Sequence, residues 1–140
     1  MIYESNPWMF HGQPFLEVPK GVVSFVYKLT HAETGKAYIG KKGFFFAKTK
    51  QVKGKKKRVK VDSDWREYFS SSDEIKAMVA DGQHFTREIL HLCYGTGEAN
   101  YLEAREQMDN RVLENPDKWF NLQIQCRVHH THLKKMSARV

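Results

Sequence analysis

Tyr27 and Tyr38 are the residues whose type and spacing first suggest chemistry. They sit in two short tripeptides, Phe25-Val26-Tyr27 and Tyr38-Ile39-Gly40, and the runs around them, 22–31 and 36–42, read as β-strands. Between the strands, Ala32-Glu33-Thr34-Gly35-Lys36 is a turn signal with a glycine where positive φ is easily reached. A hairpin built this way brings the two phenols together at one end of a small sheet, beside Lys41 and Lys42. A phenol titrates near pH 10. It serves as a base at neutral pH only where cations stabilise its phenolate, and Lys41 and Lys42 are suitable sources of that charge. Either tyrosine alone would be an ordinary strand aromatic. The pair, at this spacing and in this order, favours a functional reading.

The elements that must position these residues can be followed along the chain. Residues 1–20 carry Trp8, Phe10, Phe15 and Leu16 among prolines and read as an extended aromatic arm, packing on the domain or on a second subunit. A domain spans 21–125, with a basic insertion at 43–61, and a basic tail runs from 126 to 140. Within the insertion, Lys48 to Lys60 holds eight Lys/Arg in thirteen residues and no acid. It reads as a mobile loop or an extended ribbon that orders on a partner. Asp62-Ser63-Asp64 is a helix-start signal leading into Trp65–Phe69. Ser71-Ser72-Asp73-Glu74 carries an S-x-x-E capping box for a helix over about 72–80, stopped at Asp81-Gly82. Phe85, Arg87, Ile89 and His91 alternate with their neighbours, which predicts a third strand over 84–93. The longest helix is expected over 97–114, ended by Asn115-Pro116, and Trp119–Ile124 could add a short strand.

Length and composition bound the function. At 140 residues the chain suits a single small core. It has no apolar run long enough to span a bilayer and no signal-peptide pattern, so no membrane partner is expected. Cys93 and Cys126 lack CxxC spacing, which points to a reduced, cytoplasmic setting without a structural disulfide. The formal charge of +7 attracts polyanions, and nucleic acid leads among them because no segment reads as a basic amphipathic helix.

The two tripeptides resemble the two-strand signature of the GIY-YIG nuclease superfamily. Phe25-Val26-Tyr27 is the first element, with Phe for the usual Gly and Val for the usual Ile, and Tyr38-Ile39-Gly40 matches the second in full. The resemblance covers about residues 22–124 and is closest to the phage-encoded Seg-like branch, related to the homing endonucleases. That branch shares the long basic insertion and a stretch similar to Asp64-Trp65-Arg66-Glu67-Tyr68-Phe69-Ser70-Ser71. The implied fold is a small α/β (α+β) domain: a short three-stranded antiparallel sheet flanked by helices. The implied activity is phosphodiester hydrolysis with one divalent metal, Mg2+ or Mn2+. The implied substrate is DNA, with the double-stranded form expected, in the cytoplasm of a host cell.

Carried over residue by residue, the resemblance makes Tyr27 the general base on the attacking water and Tyr38 the residue that positions water or phosphate. Gly40 keeps the backbone clear for a close approach. The superfamily arginine falls on Arg66, next to Trp65, with Arg58 as rival, its planar guanidinium suited to phosphate oxygens. Glu106 is the implied metal ligand. Helical geometry adds its own reason: Tyr101, Ala104, Met108 and Val112 form one apolar stripe, and Glu106 projects among Ala99, Leu102 and Leu113. A carboxylate there needs a partner, either Mg2+ or an internal salt bridge to a lysine or arginine. Glu103 points further towards the polar face and is the weaker candidate. Asn121 matches a late asparagine near the superfamily's site.

Lys42, Lys48, Lys50, Lys53, Lys55, Lys56, Lys57, Arg58 and Lys60 are the expected nucleic-acid contacts, acting mainly on phosphates. His129, His130 and His132 near Cys126 are read as a solvated tail, since metal sites pair ligands on ordered elements. Two functions from different classes remain. The first is a metal-dependent DNA endonuclease, with two protomers, a homodimer, or two successive nicks needed for a double-strand break. The second is a non-catalytic nucleic-acid-binding module that uses the fold and the basic segment as a scaffold.

Overall fold

The computed structural model describes residues 5–134 and 136, apart from the side chains of Lys50 and Val52. Its elements are β1 (Met9–Phe10), β2 (Gln13–Pro14), β3 (Ser24–His31), β4 (Ala37–Gly43), β5 (Phe45–Val52), β6 (Lys55–Asp62), α1 (Asp73–Ala80), β7 (Phe85–Cys93), α2 (Thr96–Asp109) and a 3-10 helix (His130–Leu133). Five strands form one sheet in the order β2-β1-β7-β3-β4, and β5 and β6 form a separate two-stranded ribbon. The antiparallel β7-β3-β4 core is the expected three-stranded sheet. The N-terminal segment extends it, because β1 pairs parallel to β7.

Period-two alternation divides the sheet into two faces. Phe25, Tyr27 and Leu29 point to a core shared with Trp8, Phe15, Phe44, Trp65, Ile75 and Phe85. Val26 and Ile39 point to the other face, where α2 covers them with Ala99 and Leu102. Strand β7 changes face midway. Val26 registers with His91 but Tyr27 with Ile89, so Leu90 is an extra, bulged residue. Phe85 and Ile89 join the aromatic core, whereas Cys93 joins the α2 side. The alternation read from the sequence keeps His91 with Arg87 and Ile89; the bulge instead turns it towards α2.

Three other local expectations are corrected. No helix forms at Trp65–Phe69: residues 65–67 are a turn. The buried Arg87 guanidinium takes the carbonyls of Arg66 at 2.7 Å and Tyr68 at 2.9 Å, acceptors that a helix would use for its own ladder. The cap of α1 is Ser72, whose Oγ accepts from Ile75 N at 3.3 Å, one residue beyond the expected Ser71. Helix α2 ends at Asn110 rather than at 114, and Arg111 follows with φ 52°. The tail at 130–133 is a 3-10 helix packed on the start of α2, where a Cβ on Gly97 would clash with the His132 side chain.

Candidate active site

The outer edge of β4 organises the site. Residues 37, 39 and 41 direct their backbone groups away from β3, so each needs another partner. Ala37 N donates to Lys118 O at 3.0 Å and Ala37 O accepts from Phe120 N at 2.8 Å. Residues Trp119–Ile124 therefore contribute a single parallel bridge, Ala37 to Trp119, and no strand. Ile39 N donates to Asn121 Oδ1 at 3.1 Å, and Ile39 O accepts from Asn121 Nδ2 at 2.8 Å and Gln107 Nε2 at 2.9 Å. Asn121 thus spends both ends of its amide on the second-motif strand. It is a buried clamp that fixes Tyr38 and Lys41 on either side of it.

Past this clamp the edge opens into a cleft of about 510 Å3 whose lining includes Tyr38, Lys41, Tyr68, Ser71, Glu103 and Gln107. Tyr38 reaches it from the aromatic face, its hydroxyl 3.1 Å from Ser71 Oγ. Lys41 reaches it from the α2 face, and its Nζ donates to Asn100 Oδ1. Glu103 descends from α2. Burial holds its carboxyl above the ordinary carboxylate range, and the charge and backbone N–H of Lys41 oppose that rise. Burial also raises the Tyr38 phenol, with a smaller upward push from Glu103. A half-buried carboxylate, an ammonium and a phenol therefore converge on one open volume.

Glu106 lies elsewhere. One α-helical step of three residues turns it about 60° from Glu103. Its Oε1 is 2.9 Å from His91 Nε2, and Asn110 Nδ2 donates to its Oε2 at 3.4 Å. The partner it needed is the histidine that the Leu90 bulge turned towards α2. Of the apolar stripe expected on this helix, Met108 is exposed and Gln107 buried, so the true rotation brings Glu103 and Gln107 to the β4 edge.

Tyr27 is placed beside the site without entering it. Its ring lies 6.2 Å from that of Tyr38 and crosses over its cross-strand partner Gly40. A Cβ on Gly40 would sit 2.5 Å from the Tyr27 hydroxyl, which is why only glycine fits there. Among the described residues the wholly buried hydroxyl has no partner at hydrogen-bonding geometry, with Tyr68 and Ser70 as its polar neighbours. Burial first, then the neighbouring phenols Tyr68 and Tyr38, push it well above the usual phenol range. The expected stabilisation of a phenolate by Lys41 and Lys42 is absent among the described residues. Lys41 faces α2, and Lys42 is paired with Asp64 at 2.7 Å and lies over the Tyr68 ring at 4.2 Å. That pairing holds the Asp64 carboxyl below its ordinary range.

Arg66 is also outside the cleft. Its guanidinium stacks on Trp65 at 4.3 Å and donates to Leu16 O at 3.4 Å, beside a separate cavity lined by Trp8, Phe15 and Arg87. Its rival Arg58 is on β6, exposed in the ribbon. Lys48, Lys53, Lys55, Lys56, Lys57 and Lys60 share that ribbon and are exposed, while the side chain of Lys50 lies outside the described residues. The sequence reading missed Tyr68 and Ser71 as cleft residues, although both fall in the Asp64–Ser71 stretch that it singled out. Arg87 gave no signal at all: it reads as one polar residue in an alternating strand.

No group of three or more His, Cys, Asp or Glu that could hold a metal occurs among the described residues. Glu103 alone still fits a hard divalent cation of the Mg2+ type, which keeps several waters and takes one or two carboxylates plus substrate phosphates. A desolvated carboxylate beside an open volume is the donor such an ion would use.

The fold is a mixed α/β domain with two tyrosine-bearing strands, an edge cleft and a carboxylate from α2, the layout of a GIY-YIG-type domain. The family model described as "Putative endonuclease segE, GIY-YIG domain" matches residues 8–124, and the chain belongs to that family. No curated protein and no solved structure matches the chain. Among the described residues no helix is long and apolar enough to cross a membrane.

Proposed function

We propose that this chain is a metal-dependent DNA endonuclease that hydrolyses phosphodiester bonds in the cleft at the edge of β4. The observation that carries the reading is the convergence of Glu103, Lys41 and Tyr38 on one open volume. Glu103 would hold Mg2+ or Mn2+, with water and phosphate oxygens completing the ligand set. Bound there, the ion supplies Lewis-acid stabilisation of charge on the phosphoryl oxygens. Lys41 offers a fixed positive charge to the same oxygens. The Tyr38 hydroxyl, held by Ser71, positions the attacking water or a phosphate. Tyr27 and Asn121 act as positioning residues, one beneath Tyr38 and the other on the Ile39 backbone. With one such site per chain, a double-strand break takes two protomers or two successive nicks.

Plasmid nicking with Mg2+, Mn2+ or EDTA tests the proposal. Glu103→Gln should lose cleavage by about 10² or more while retaining duplex binding. Glu106→Gln should cut normally, and the reverse pattern would return the metal to Glu106. One observation favours a second reading: among the described residues that line the cleft, none is an arginine. A wild-type protein that binds duplex DNA but does not nick it with either Mg2+ or Mn2+ would be the non-catalytic binding module.

A further inference from the structure

We infer that the β5–β6 ribbon is a sequence-reading element that enters the major groove of duplex DNA with the face carrying Thr49, Gln51, Lys56 and Arg58. The inference rests on the DNA substrate of the proposed function and goes beyond it, since a phosphate grip alone would carry no base information.

Register sorts the ribbon's side chains. Thr49 pairs with Arg58 and Gln51 with Lys56, so these four residues share one face, with Ala47 and Lys60 next along it. The opposite face carries Lys48 with Val59, Phe46 with Val61, and Lys57. Thr49, Gln51, Lys56 and Arg58 are all exposed. The two faces differ in chemistry. The second mixes apolar residues with lysine. The first holds an arginine, a glutamine, a lysine and a threonine, side chains that pair with guanine, adenine and either base edge in the major groove. A ribbon meant only to neutralise phosphates has no use for Gln51 and Thr49 beside its cations.

The shape matches as well. Each strand has eight residues, which extend about 27 Å at about 3.4 Å per residue. The B-form major groove is about 12 Å wide and admits a two-stranded ribbon. The deep, narrow major groove of A-form RNA does not, so the partner is duplex DNA. The turn at Lys53-Gly54 has φ 51° and 76°, the primed geometry that keeps a hairpin tightly closed and straight enough to insert. From Lys48 to Lys60 the ribbon has no acidic residue, and an isolated two-stranded hairpin is marginal in water. A polyanion along its length supplies the counter-charge it lacks. Lys60 and Phe46 at its base line a cavity with Lys41, which also lines the cleft, so the base of the ribbon lies beside the candidate site.

The test measures binding, so it does not depend on cleavage. Full-length wild-type protein in EDTA is mixed with duplexes carrying a randomised core, and the bound duplexes are sequenced. A motif of a few base pairs is expected. Arg58→Ala and Gln51→Ala should each flatten a different position of it, by about tenfold or more in discrimination. Lys48→Gln and Lys57→Gln, on the other face, should weaken binding to all sequences alike and leave the motif intact. Within the motif, 7-deazaguanine, which lacks the major-groove N7, should weaken binding, and inosine, which lacks the minor-groove amine, should not. The inference is overturned by the absence of a motif, by a motif unchanged in Arg58→Ala and Gln51→Ala, by sensitivity to inosine alone, or by equal binding to the matching RNA duplex. A ribbon-dependent motif in a protein that never cleaves would defeat the nuclease reading and support this one.

Discussion

Glu103 and Tyr27 carry charge logic in opposite directions. Burial raises the Glu103 carboxyl above its ordinary value of 4.5, so the folded state prefers its protonated form. The stability this gives is present below about pH 4.5 and is lost as pH rises through the folded value. Glu103→Gln keeps the shape and removes the desolvated charge. It should melt higher than wild type at pH 7, an advantage that fades towards pH 4. Added Mg2+ should raise the melting temperature of wild type but not of the variant, because an ion bound only to the folded state stabilises it by mass action. Thermal melts at the two pH values, with and without Mg2+, check both, and an equal Mg2+ response would remove Glu103 as the ligand. Tyr27 holds a buried hydroxyl with no hydrogen-bonding partner among the described residues. Tyr27→Phe should therefore leave stability unchanged or raise it by up to about 1 kcal/mol in a urea titration. Cleavage should stay close to wild type, and a loss of about 10² or more would restore Tyr27 as the general base.

Elements fix these residues through two close approaches. Gly40 admits the Tyr27 ring across β4. Gly40→Ala should cost about 1–3 kcal/mol through overpacking and clearly less in a Tyr27→Ala background, where only the Tyr38 ring, 2.9 Å from the added Cβ, still crowds it, a coupling that a double-mutant cycle reads directly. Arg87 ties the arm to the sheet: its guanidinium donates to Asn6 O, Arg66 O and Tyr68 O and lies between the rings of Trp8 and Phe69. Burial pulls its pKa down to about 10. Arg87→Met strands those carbonyls and should destabilise by about 3 kcal/mol or more in denaturant titrations. Lysine should not rescue it, since its single ammonium cannot span all three acceptors. The contrast explains what the sequence could reveal. The β3–β4 hairpin, α1 and the strand at 85–93 were legible because turn residues, a cap and alternation are local signals. The Leu90 bulge, the turn at Trp65 and the early end of α2 were not. The first two are imposed by partners distant in sequence: α2 for His91, Arg87 for the carbonyls of residues 66 and 68. That Glu103 faces the cleft while Glu106 faces His91 was not legible for the same reason, because a helix's rotation against a sheet edge is a tertiary fact.

At the scale of the whole molecule, charge is segregated. Among the described residues, the cleft is lined by Asp73, Glu74 and Glu103 with Lys41 as its single cation, while Lys48, Lys55, Lys56, Lys57, Arg58 and Lys60 stand exposed on the ribbon. Affinity and chemistry should therefore separate on mutation. Ribbon lysines that neutralise phosphates release condensed counterions. For each phosphate no longer neutralised, the salt slope of log K should fall by about 0.9 on duplex DNA. Replacing Lys48, Lys55 and Lys57 together with Gln removes at most three such pairings. Binding should weaken across unrelated sequences, and the slope should flatten by up to about 2.7. Cleavage of saturated complexes should survive, because none of the three lines the cleft. The measurement is a binding titration at several salt concentrations, paired with single-turnover cleavage at saturating enzyme. An unchanged slope would mean that the ribbon does not touch the DNA backbone. A chemical step abolished at saturation would mean that it reaches over the duplex into the cleft.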